Sequence, residues 1–88
     1  MQNVTSCRFE AAVQFHPVIQ DRYDRLLVAA QDFFAADGDL VAQAQAQELM
    51  ERVAGDIAIF RGASTFGDWK AARDYMVHEA LARAEALV

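Results

Sequence analysis

One cysteine, one proline and one lysine occur in this chain of 88 residues, and each scarcity excludes something. Cys7 has no second cysteine to pair with, so no disulfide can staple the fold from within. A solitary thiol also fits a reducing compartment. Lys70 is the only lysine, and the arginines are scattered without a basic run. Phosphate backbones and anionic lipid surfaces are bound by clustered positive charge, so direct nucleic-acid or membrane binding is not expected. No apolar run approaches the ~18 residues that a bilayer span requires. The start, MQNVTSCRF, lacks a basic stretch followed by an apolar one, and the expected address is the cytoplasm. With two histidines and one cysteine there is no clustered set of zinc ligands, and no cofactor is expected.

What the chain does contain is apolar surface. It is 55% hydrophobic with six phenylalanines, and it carries a net charge of −5. A chain of this size buries only about 60–65% of its unfolded surface, which leaves a monomer marginal. Self-association is the obvious source of additional burial, so a homodimer is expected.

Three helices are legible. Pro17 suits a first helical turn. Ile19, Tyr23, Leu26, Leu27, Ala30, Phe33 and Phe34 then follow at steps of three and four, with Asp21 and Arg25 spaced for an ion pair. Ala-Ala-Asp-Gly-Asp ends this helix; Gly38 suits a left-handed cap, and Asp37 or Asp39 can cap the next helix. The second helix runs from Leu40 to about Arg61, with Ala46, Leu49, Met50, Val53, Ile57 and Phe60 as its stripe. Its last stretch, Ile57-Ala58-Ile59-Phe60, is apolar all round and predicts burial on more than one side. Thr65 followed by Asp68 has the spacing of a capping box. The third helix then presents Trp69, Ala72, Met76, Ala80, Ala84 and Leu87, with Val77, Leu81 and Val88 alongside.

Residues 1–16 are left over as an arm. Its stretch CRFEAAVQF places Cys7, Phe9, Ala11, Val13 and Phe15 at alternate positions, the pattern of a half-buried strand. A lone strand needs a partner edge. The same arm of a second copy would supply one in a two-stranded antiparallel ribbon, and a target's sheet edge would serve as well. As a helix, the arm would instead group Phe9, Ala12, Val13 and His16 and complete a four-helix bundle. A disordered tail would carry unusually large apolar residues. The expected fold is mainly α: a small three-helix antiparallel bundle over residues 17–88 with a strand-like arm that pairs across a homodimer.

Candidate chemistry is sparse. Cys7 and His16 lie on the order of 30 Å apart on an extended strand, too far for a thiolate and its base within one chain. His78 has Asp74 one turn before it, and a solvated helix face accounts for both. Asp37-Gly38-Asp39 opens like a calcium loop, but Leu40, Val41 and Ala42 follow where oxygen donors are needed. Gly62 to Gly67 lacks the lysine and hydroxyl of a phosphate loop. Phe66 and Trp69 flank this reversal, either as plugs between helices or as exposed anchors of binding.

The expectation for function is a non-enzymatic protein–protein interaction module: an adaptor, chaperone or inhibitor that occludes a partner's surface. Its interface residues are Phe9, Val13 and Phe15 on the arm, with Phe66 and Trp69. One alternative is an acidic regulator that imitates phosphates, which requires Asp21, Asp24, Asp32, Asp37 and Asp39 on one surface. The other is a small enzyme or ligand-binding dimer with an interface pocket holding Tyr23, Tyr75 or a histidine.

Overall fold

The computed structural model describes residues 17–87. The arm, with Cys7, Phe9, Val13, Phe15 and His16, lies outside the described residues, and so does Val88. Three α-helices account for most of what is described: α1 (Pro17–Ala35), α2 (Leu40–Phe60) and α3 (Phe66–Leu87). Each packs against the other two, and no strand occurs among the described residues.

The two reversals are fixed by local chemistry. Gly38 adopts φ +87°, the left-handed conformation open to a residue without a Cβ. Asp39 then caps α2, its carboxylate accepting from the Ala42 N–H at 3.0 Å. At the far end α2 stops in a Schellman motif. The Gly62 N–H donates to the Ile59 carbonyl at 3.0 Å and the Ala63 N–H to the Ala58 carbonyl at 3.1 Å. Gly62 sits at φ +94°, as that motif requires. Thr65 opens α3, its hydroxyl accepting from the Asp68 N–H at 3.0 Å.

The Asp39 cap gives a simple prediction. Asp39→Ala should lower stability by about 1 kcal/mol, with Asp39→Ser close to the parent. In thermal unfolding that is a fall of about 4–8 °C for the alanine variant alone.

Two side chains orient α1 against α2. Gln43 Nε2 donates to the Phe33 carbonyl at 3.3 Å, and Arg61 Nη1 donates to the Tyr23 hydroxyl at 2.9 Å. Ascending residues on one helix meet descending residues on the other, so the pair is antiparallel. α1 therefore begins at the end of the bundle where α2 stops and α3 starts. The core runs between the helices through Leu26, Met50, Val53, Ile57, Met76 and Val77. Between these large side chains lie Ala29, Ala30, Ala54, Ala58, Ala80 and Ala84, which let the helix backbones approach closely.

The expected stripe of α1 is buried or half-buried throughout. That of α2 needs correction at its edges. Leu49 and Phe60 are exposed; Leu49 points about 100° around the helix from Met50, and Phe60 is the last residue of α2. Burial on several sides at Ile57–Phe60 is not found either. Ile57 is 0% exposed but Ile59 is 63% exposed, because two packed neighbours cover only one side of α2. On α3, Leu87 is exposed at the chain's far end.

Candidate functional site

Trp69 lies in the first turns of α3 and reaches across to α2. Its indole N–H donates to the backbone carbonyl of Gly55 at 2.9 Å. That carbonyl sits inside a helix, and it is accessible because Gly55 has no side chain. A Cβ built there would fall 2.9 Å from Trp69 Cζ2. Glycine in a helix interior is unfavourable by roughly 0.5–1 kcal/mol against alanine, and here the close indole gives the reason for it.

Outward from this contact the surface is aromatic. Phe66 opens α3 and is 74% exposed, its ring centroid 5.7 Å from that of Trp69 in a tilted arrangement. The Arg73 guanidinium lies 4.8 Å from the centre of the Trp69 ring, on its face. Arg73 is steadied by Asp74, whose carboxylate accepts at 2.9 Å. The two expected positions thus divide. Trp69 is a half-buried plug with a satisfied N–H, and Phe66 is an exposed ring resting on it.

A second feature lies round the helix. Tyr75 is nine residues from Phe66, two and a half turns, and so faces the opposite way. It lines an open groove of about 420 Å³ with Ala58, Ala63, Ala72 and Met76, and with charged Arg61 and Asp68. Arg61 and Tyr23 join this wall to α1. The Tyr23 hydroxyl accepts from Arg61 and lies 3.8 Å from the Met76 sulfur. Tyr23 and Tyr75 thus both belong to this end of the bundle. His78 is exposed on α3, and the neighbouring Asp74 carboxylate is taken by Arg73. Among the described residues, no three of His, Cys, Asp and Glu come together as metal ligands would.

Asp21, Asp24 and Asp32 are all exposed and lie within about 80° of one another around α1. Asp21 is paired with Arg25 at 3.0 Å and lies 3.5 Å from Arg22. Asp24 accepts from Gln20 at 3.1 Å. Asp37 and Asp39 lie beyond the other end of α1, more than about 16 Å from this pair along the axis. No described helix is long and apolar enough to cross a membrane.

Comparison with protein-family models, curated proteins and solved structures gave no match of any kind. The sequence marks Phe66 and Trp69 as candidates but not Gly55. The signal available was an isolated glycine in the middle of an otherwise strong helix. Nothing in the sequence pointed to Arg61 reaching Tyr23, since 38 residues separate them.

Proposed function

We propose that the chain is a non-enzymatic protein–protein interaction module, an adaptor, chaperone or inhibitor that acts by covering a partner's surface. The observation that carries this reading is Phe66. A large aromatic ring left mostly in water is costly to keep, and it sits on a rigid base of Trp69 and Arg73. Tryptophan and arginine are enriched among the few residues that dominate binding energy at interfaces. A preformed aromatic platform also loses little conformational freedom when a partner arrives. The partner is a protein, a second copy of this chain included, and the arm residues Phe9, Val13 and Phe15 belong to the same proposal.

Phe66→Ala tests it. Because the ring is exposed, folding stability should change by no more than about 0.5 kcal/mol. Affinity for the partner should fall by about 30-fold or more, the signature of a central anchor. The partner is found with a photo-crosslinking phenylalanine analogue placed at position 66 or at His78 in the native host. A discrete adduct from 66 and none from 78 is expected, and its mass separates a second copy from a different protein. Equal labelling at both positions, or none at 66, would remove Phe66 as the anchor.

A further inference from the structure

Two methionines lie among the described residues, and their surroundings differ. Met50 is 0% exposed within the core. Met76 is 4% exposed and lines the open groove beside Tyr75, with the charged Arg61 and Asp68 in the same wall. Two hydrogen-bond donors converge on the Met76 sulfur. The Tyr23 hydroxyl donates to Sδ at 3.8 Å and Arg61 Nη1 donates to it at 3.7 Å. The same Nη1 donates to the Tyr23 oxygen at 2.9 Å, which closes a triangle of three side chains. A thioether is a weak acceptor, so a phenol and a guanidinium gain little from it as they stand.

We propose that Met76 is an oxidation site, at which a hydroperoxide converts the thioether to a sulfoxide whose oxygen is held by Tyr23 and Arg61. Hydrogen peroxide alone balances the step. A sulfur lone pair attacks one peroxide oxygen, and an S–O bond forms as the O–O bond breaks. The departing oxygen leaves as water with both protons. Sulfur loses two electrons and the peroxide gains them. The product is one that methionine sulfoxide reductases reverse.

Oxidising a core methionine ordinarily disrupts packing, because it sets a polar oxygen among apolar side chains. Position 76 is built otherwise. The groove admits the oxidant and gives the added oxygen room, and the donors are already in place. A sulfoxide oxygen accepts far more strongly than a thioether sulfur, and a charged donor such as Arg61 strengthens the bond further. Tyr23 belongs to α1, Arg61 follows the last residue of α2 and Met76 belongs to α3, so bonds to the new oxygen tie all three helices together. Phe66 faces away from the groove, and neither proposal depends on the other.

The test uses the folded full chain, dilute hydrogen peroxide and peptide mass spectrometry. Met76 should gain one oxygen at least about tenfold faster than Met50. In urea strong enough to unfold the chain, the two rates should converge. Equal rates in the folded chain, or Met50 reacting first, would overturn the proposal. A methionine that is merely accessible would pass this far, so a second measurement reads the donors. Tyr23→Phe keeps the ring and removes one of them. Urea unfolding of the oxidised and unoxidised forms of both chains gives the stability that oxidation removes from each. That loss should be greater in Tyr23→Phe, by about tenfold in the folding equilibrium constant. Equal losses with and without the hydroxyl would mean that the oxygen is not held there, and would overturn the proposal as well.

Discussion

Ile57→Ala should destabilise the protein by about 2–5 kcal/mol, whereas Ile59→Ala, two residues away, should change stability by about 0.5 kcal/mol or less. The residue type and the helix are the same, and only the direction of the side chain differs. Ile57 is 0% exposed between α1 and α3, and cutting it back leaves a cavity that rigid neighbouring helices cannot close. Ile59 already spends most of its surface in water, so little apolar burial is lost. A domain of this size has roughly 5–15 kcal/mol of stability to lose, so Ile57→Ala could remove a large share of it. Urea unfolding followed by the emission of the single tryptophan would measure both. Similar losses for the two variants would mean that the helix register at this end of α2 is different.

The second large effect is one of sign. In an open helix, glycine to alanine gains about 1 kcal/mol. At Gly55 the same change should instead lose about 1–2 kcal/mol, because the new methyl lands 2.9 Å from a rigid indole that is hydrogen-bonded to the same residue. Trp69 cannot yield as the tip of a flexible side chain would. Once Trp69→Ala has emptied that space, Gly55→Ala should become stabilising again. The double-mutant cycle is therefore expected to show a coupling of about 2 kcal/mol or more, with a reversal of sign. An additive cycle would mean that the indole is not what restricts residue 55.

Much of the helical framework was legible because it is written locally. Pro17, Gly38, Asp39, Gly62 and Thr65 each act on backbone groups within a few residues of themselves, and the helices begin and end beside them. Which side of α2 faces water was not legible at Ile59 and Phe60. Four consecutive apolar residues carry no periodicity, so only the number of neighbouring helices decides what is covered. The aromatic surface was half legible. The sequence marked Phe66 and Trp69 together, but separating plug from anchor depends on how closely α3 approaches Gly55. That distance is set by packing between elements fourteen residues apart, and no local pattern records it.

The alanines at the helix seams have a consequence for how this sequence can change. At Ala30, Ala54 and Ala84 the side chain is fully covered, and a larger one would have to push two backbones apart. A smaller one means glycine, which weakens the helix by about 1 kcal/mol at each place. These positions are bounded from above and from below. Mutational drift would then be channelled to the rim and the outer faces, while the seams stay alanine. A library of random variants selected only for folding would display that as a line of unchanging small residues running the length of the bundle.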